Sequence, residues 1–135
     1  MTLQECGEIE INVEHDIAIA RRAVRDIAAE LGFGVTETAR IVTAASELGR
    51  NVHKYAGGGV MRWRALNKNE RNGLELSFED HGPGIADVDE AMREGHTTGG
   101  GLGMGLPGAK RLMDEMEINS APGTGTTVIV RKWRR

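Results

Sequence analysis

The placement of glycine constrains this chain more than any other feature. Nineteen of its 135 residues are glycine. They concentrate where Asp80-His-Gly-Pro-Gly84-Ile85 is followed, after thirteen intervening residues, by Gly99-Gly-Gly-Leu-Gly-Met-Gly105-Leu106. A glycine brings no side chain to a core, and inside a helix or strand it costs about 0.5–1 kcal/mol relative to alanine. Two such clusters, the first opened by an acid, suit a backbone that approaches a ligand and folds over it. The stretch from Asp80 to Leu106 therefore reads as a nucleotide site with a lid.

A chain of 135 residues makes one domain, residues 1–135, with a single core of moderate size. The net charge of −3 and sequence pI near 5.8 argue against nucleic acid as the main partner. The basic ending Arg131-Lys132-Trp133-Arg134-Arg135 reads as a solvated strand end. Cys6 is the single cysteine, so no intrachain disulfide forms. No apolar run has the length of a membrane span and the N-terminus lacks a signal-peptide pattern, so the chain reads as cytoplasmic.

Hydrophobic periodicity supplies the frame. Ile9, Ile11 and Val13 alternate with Glu10 and Asn12, predicting a half-buried strand over 8–14. Asp16 is then placed to cap a helix whose apolar stripe is Ile17, Ala20, Val24, Ile27, Ala28 and Leu31 and which Gly32 and Gly34 end. Thr36 is the expected cap of a second helix, with core positions Ile41, Ala45, Leu48 and Val52, running to about Tyr55. Two strands follow: Met61, Trp63 and Ala65 alternate with Arg62 and Arg64, and Leu74, Leu76 and Phe78 alternate with Glu75, Ser77 and Glu79. Residues 67–73 read as the turn between them. A short helix is expected from an Asp87 cap through Glu94, a loop over 95–105, and a helix from Pro107 to about Met116. Two last strands, 118–121 and 126–133, flank the turn Pro122-Gly-Thr-Gly125. This order predicts an α/β fold: a two-layer sandwich whose mixed, mostly antiparallel sheet carries helices on one face.

Several side chains could carry chemistry. Asp80 is in phase with Leu76 and Phe78, so it points to the apolar side of its strand. It is either a turn aspartate bonded within the Gly82-Pro83-Gly84 bend or an acceptor for a ligand's amino group. The second alternative selects adenine over guanine, which presents an acceptor at the corresponding position. Glu47 and Asn51, four residues apart, share a helix face bordering the core stripe. They are either solvated helix residues or a functional pair. In that second role Asn51 offers magnesium a neutral oxygen, and Glu47 positions or deprotonates an attacking hydroxyl. Gly103-Met-Gly105-Leu-Pro-Gly108 is a literal G-x-G-x-x-G, but no strand precedes it and no acid follows Glu117, so it is no dinucleotide fingerprint. A phosphate-binding loop of the G-x-x-x-x-G-K-[ST] type is also absent. What remains is a glycine-rich loop running into a helix N-terminus, which suits phosphates. Thr126 is in phase with Val128 and Val130 and faces inward. His15, His53, His81 and His96 show no metal-ligand spacing.

The order of these elements is more specific than any one of them. Glu47-Leu-Gly-Arg-Asn51, Asp80-His-Gly-Pro-Gly84, Gly99-Gly-Gly-Leu-Gly-Met-Gly105 and Gly123-Thr-Gly-Thr126 together resemble the asparagine box, the two glycine boxes and the closing Gly-Thr element of the Bergerat (GHKL) ATP-binding fold. Within that superfamily, the run Gly101-Leu-Gly-Met-Gly-Leu-Pro-Gly-Ala-Lys-Arg-Leu-Met-Asp-Glu115 is similar to the RsbT family of small serine kinases. The stretch Glu30-Leu-Gly-Phe-Gly34 and the Lys-Trp-Arg ending are similar as well. The resemblance implies ATP and Mg2+ as cofactors, Glu47 as catalytic base and Asn51 as magnesium ligand. It implies a phosphate-facing Lys54, and Asp80 as the adenine reader supported by Gly82, Gly84 and Thr126. It also implies a lid in which Gly99, Gly101, Leu102, Gly103, Gly105 and Leu106 hold phosphates. The implied substrates are STAS-domain stressosome proteins, and the implied second partner is a PP2C-type phosphatase. The neighbouring anti-sigma kinases would add a sigma factor as an alternative partner.

Overall fold

A computed structural model of the chain describes residues 6–84 and 105–135. The expected helix at 87–94, His96, the loop from Gly95, and lid residues Gly99, Gly101, Leu102 and Gly103 lie outside the described residues.

The described elements are β1 (Cys6–Ile11), α1 (Glu14–Glu30), α2 (Val35–Ala56), β2 (Gly59–Lys68), β3 (Arg71–Asp80), α3 (Gly105–Leu112), β4 (Glu115–Ala121) and β5 (Gly125–Trp133). The strands form one sheet in the order β1-β2-β3-β5-β4, and every pairing in it is antiparallel. The expected mostly antiparallel sheet is thus wholly antiparallel among the described residues.

The two faces of the sheet differ as strand alternation requires. Met61, Trp63, Leu74, Leu76, Phe78, Val128 and Val130 point inward and are buried with the apolar stripes of the helices. The stripe residues of α1 and α2 named above are all in this core. The opposite face carries a charge lattice. Arg62 pairs with Glu8 and Glu79, Arg64 with Glu75, and Arg131 with Glu75, Glu115 and Glu117. The fold is the expected two-layer sandwich. No helix among the described residues is long and apolar enough to cross a membrane.

Several local expectations are corrected. The first strand is 6–11 rather than 8–14, and Val13, the expected third inward residue, is 56% exposed. Asp16 does not precede α1 but sits in its first turn. It closes the helix start from within, accepting hydrogen bonds from the Asn12 and Val13 amides at 2.9 and 3.1 Å. Those two amides hold its carboxyl below the ordinary aspartate value, Asn12 contributing most. The second helix begins at Val35 behind Gly34, so Thr36 is inside it and is not its cap. The β2–β3 turn is shorter than 67–73: the strands pair as far as Lys68 and Arg71. Asn69 and Glu70, both at positive φ, close it, the geometry that matches strand twist in a two-residue hairpin.

α3 stops at Leu112, four residues before the expected Met116. Its last turn is captured by the end of β5. Lys132 Nζ donates to the Leu112 carbonyl at 3.0 Å, the Asp114 amide donates to the Arg131 carbonyl, and the Trp133 amide donates to Asp114 Oδ2. The basic ending is therefore not simply solvated. Lys132 is 4% exposed, and Arg131 is threaded through three carboxylates.

Candidate nucleotide site

The site assembles where three connections meet the second half of α2. β3 delivers Asp80 at its last position, directly opposite Gly59 on one side and Thr126 on the other. Asp80 Oδ1 accepts the Gly82 amide at 3.0 Å and the Thr126 amide at 3.2 Å. One carboxylate oxygen is thus spent on holding the bend and the start of β5. Oδ2 makes no hydrogen bond among the described residues. The two alternatives for Asp80 are therefore compatible, since the turn occupies one oxygen and leaves the other for a ligand.

Glycine is required where backbone crosses backbone here. Gly84 has φ +79° and Gly125 φ +92°. A Cβ on Gly84 would collide with the Ala121 carbonyl oxygen, and one on Gly125 with the Asp80 carbonyl oxygen. The bend after β3 is further tied to the β4–β5 turn by the Gly123 amide donating to the Pro83 carbonyl at 2.8 Å. Across this hairpin Ser120 pairs with Thr126, and their hydroxyl oxygens lie 2.8 Å apart.

Helix α2 closes against the same point. A Cβ on Gly59 would lie 2.8 Å from Val52 Cγ1 and 3.2 Å from Asp80 Cβ. One on Gly82 would lie 2.7 Å from Ala56 Cβ. Val52, which follows Asn51 directly, thus abuts Gly59 beside Asp80, and Ala56, about one turn further on, presses on Gly82 in the bend. Asn51 in turn reaches the head of α3: its Nδ2 is 4.0 Å from where a Gly105 Cβ would stand. Leu106 is 9% exposed and its side chain belongs to the core. Lys54 is exposed, with Nζ 5.4 Å from the Tyr55 ring centroid. Glu47 is mostly sheltered, its side chain 20% exposed, and Oε1 accepts Arg50 Nη1 at 2.8 Å.

The structure thus gathers Asn51, Asp80, Gly82, Gly84, Gly105 and Thr126 at one end of the sandwich, with Glu47 one turn back along α2. An open hollow of about 480 Å³ runs over the end of the sheet, lined on the inner side by Asp80, Ser120 and Thr126 and on the outer side by Glu79, Asn119 and Thr127. Its volume is within the range of small-molecule sites. Ser120 was not among the sequence candidates. Its signal was available only as register, because it faces Thr126 across the Pro-Gly-Thr-Gly turn. No group of three or more His, Cys, Asp or Glu that would hold a metal occurs among the described residues. Asn51, half-buried on α2, carries a neutral side-chain oxygen, the kind of donor a magnesium ion can take alongside phosphates.

Asp80, with one carboxylate oxygen that no described residue engages, borders this hollow, and Asn51 stands on α2 outside its lining. The family model for the histidine kinase-like ATPase domain matches residues 10–132, and the chain belongs to that family. Within it the chain is of the RsbT type: it is 47% identical over 135 residues, the whole of both chains, to serine/threonine-protein kinase RsbT of Bacillus subtilis (strain 168). It is 36% identical over 122 residues to the anti-sigma F factor of Caldanaerobacter subterraneus subsp. tengcongensis, covering 86% of this chain and 84% of that one. Among solved structures, the RsbU and RsbW domains of a Mycobacterium tuberculosis protein superpose with a TM-score of 0.62 at 24% identity, over 96% of this chain and 33% of that one. The latter likeness concerns the fold.

Proposed function

We propose that the chain, acting as a single domain over residues 1–135 in the cytoplasm, is a magnesium-ATP-dependent protein serine/threonine kinase. Its proposed acceptors are STAS-domain stressosome proteins, and after release from them it activates a PP2C-type phosphatase. The carrying observation is the meeting of α2 with the Asp80–Gly84 bend through Val52 on Gly59 and Ala56 on Gly82. It brings a helix bearing a base candidate and a metal-ligand candidate to a carboxylate with a spare oxygen. The full-length likeness to a serine/threonine-protein kinase supports the same reading.

Bound magnesium-ATP supplies the phosphoryl group, with the metal offsetting phosphate charge. The residues of this chain do the positioning. Asp80 Oδ2 accepts the adenine amino group, while Oδ1 keeps the floor rigid through Gly82 and Thr126. The Asn51 side-chain oxygen holds the metal. Lys54 lies along the same helix on the phosphate side, and Gly99, Gly101, Leu102, Gly103, Gly105 and Leu106 offer backbone amides to the phosphates. Glu47 accepts the proton of the incoming hydroxyl. Such a site works mainly by orientation and charge stabilisation.

The test is transfer of label from ATP, with magnesium, to a STAS-domain protein. Native protein should transfer label and Glu47→Ala should not. Absence of transfer by the native chain, or equal transfer by Glu47→Ala, would sink the kinase assignment. The likeness to an anti-sigma F factor favours a second reading, in which the chain holds a sigma factor, or acts as an ATP-binding switch without catalysis. Capture experiments against a sigma factor, a STAS-domain protein and a PP2C-type phosphatase separate the two.

A further inference from the structure

Helix α2 contains the pattern Glu-x-x-Arg twice, at Glu37–Arg40 and Glu47–Arg50. Each forms an i,i+3 ion pair, with Nη1 to Oε1 distances of 3.2 and 2.8 Å. An i,i+3 pair on a helix surface ordinarily does little more than add a few tenths of a kcal/mol to the helix, so the second atom of each carboxylate decides what the pair is for. Glu37 Oε2 lies 3.0 Å from Lys132 Nζ. Both its oxygens face cations, and the carboxylate is fully committed to structure. Glu47 is the better sheltered of the two, 20% against 28% exposed. Its Oε1 takes the shorter contact, and its Oε2 has neither a hydrogen bond nor a second cation among the described residues, whereas Glu37 Oε2 lacks a hydrogen bond but faces Lys132. Arg50 itself is 55% exposed, so it stands at the rim and holds Glu47 from outside.

We infer that Arg50 is a positioning residue for phosphoryl transfer: by occupying Glu47 Oε1 it fixes the carboxylate rotamer so that Oε2 is presented to the acceptor hydroxyl. This rests on the assignment of Glu47 as the base. In the step that follows, the hydroxyl oxygen bonds to the γ-phosphorus as its proton passes to Oε2. The bond from the γ-phosphorus to the β–γ bridging oxygen breaks, and its electron pair leaves with ADP. A glutamate has three side-chain torsions. Without a partner on Oε1 the carboxylate samples several of them, and the fraction of bound complexes with Oε2 aligned falls. Arg50 uses one of its five donors in this contact, so a single ammonium donor at the same position replaces part of the restraint.

The experiment measures transfer to the STAS-domain acceptor, with kcat and acceptor KM separated, and ATP affinity by calorimetry. The variants are Arg50→Ala, Arg50→Lys and Glu47→Ala. Arg50→Ala is expected to lower kcat roughly tenfold, the scale of one charge-assisted hydrogen bond at a part-exposed site. Its ATP affinity and acceptor KM should stay unchanged, and Arg50→Lys should recover part of the loss. The inference is overturned if Arg50→Ala keeps native kcat while Glu47→Ala is inactive, or if Arg50→Lys is as impaired as Arg50→Ala. It is also overturned if the effect falls on acceptor KM alone, which would make Arg50 a docking contact. A native chain that transfers no phosphate would instead defeat the kinase assignment itself, and that result is distinguishable because it appears before any Arg50 variant is compared.

Discussion

The two ends of α2 are built from the same residue types and do opposite things. At its N-terminal end, Glu37 meets Arg40 and Lys132, Lys132 reaches Asp114 at 3.8 Å and the Leu112 carbonyl, and Asp114 takes Arg135 and the Trp133 amide. This end joins α2, α3, β4 and β5, with each carboxylate engaged. Glu37 Oε2 is fully buried, and its contact with Lys132 is an ion pair without aligned hydrogen-bond geometry. At the C-terminal end Glu47, Asn51 and Asp80 gather, and two carboxylates keep an oxygen that nothing described engages. Buried polar groups are normally satisfied. The first cluster, whose carboxylate oxygens all face a cation or an amide, holds the fold, and the second, with oxygens left over, is where the proposed nucleotide would sit.

The largest effect that would sharpen this contrast is on chemistry at the open end. Glu47→Ala should lower phosphoryl transfer by roughly 10²–10⁴-fold, the usual loss for a general base, while urea unfolding changes little. A large stability loss without a rate defect would place Glu47 with Glu37 as a structural group.

At the closed end, Lys132→Met keeps the aliphatic packing and removes the charge. It should destabilise the protein by about 2–3 kcal/mol, just below the usual cost of breaking a buried pair, because Glu37 keeps Arg40 and Asp114 keeps Arg135. The midpoint of thermal unfolding should fall by roughly 10 °C, with ATP affinity near native in the folded protein. A variant as stable as the native chain would show that the cluster does not hold the closed end.

Asp80→Asn comes next. The amide oxygen can still accept from Gly82 and Thr126, so the fold should persist. The ionised acceptor on the ligand side is lost, and ATP should bind roughly tenfold to a hundredfold more weakly by calorimetry. Equal affinity would leave Asp80 as a turn residue alone.

The smallest effect is on pH dependence at the closed end. Burial works against the charged form of Asp114. The Trp133 amide, Arg135 and Lys132 together outweigh it and hold the carboxyl below its ordinary value. Because the folded value is the lower one, this contribution to stability is fully present above the unfolded aspartate value of about 3.9. It is lost as pH falls through the folded value. Unfolding free energy measured from pH 6 downward should therefore fall less steeply in Asp114→Asn than in the native chain. Identical slopes would remove Asp114 from the acid response.

Much of the frame was legible in the residues. The stripes of α1 and α2 and the alternation of β2, β3 and β5 survive intact, because apolar period and burial are the same physics seen in one and three dimensions. Asp80 was legible for a related reason, since strand phase carries through Leu76 and Phe78 to the residue that meets Gly59 and Thr126. Local capping was less legible. Asp16 bonds backwards from the first turn, and Thr36 is passed over because Gly34 already has the extended geometry that starts the helix. The pairing of Ser120 with Thr126 depended on hairpin register, which neither residue type announces.

What the sequence determined by itself, then, is the two-layer sandwich with a mostly antiparallel sheet and the order of acid, asparagine and glycine elements along it. Each of these depends on residues near one another in the chain. Only the tertiary structure decided where α3 stops, because the Leu112 carbonyl, the Asp114 amide and the Asp114 carboxylate are taken by residues from the far end of β5. It also decided which of two identical Glu-x-x-Arg pairs is closed. Lys132 reaches Glu37 and no cation among the described residues other than Arg50 reaches Glu47, and that difference depends on the sheet order that sets β5 beside β3 and β4.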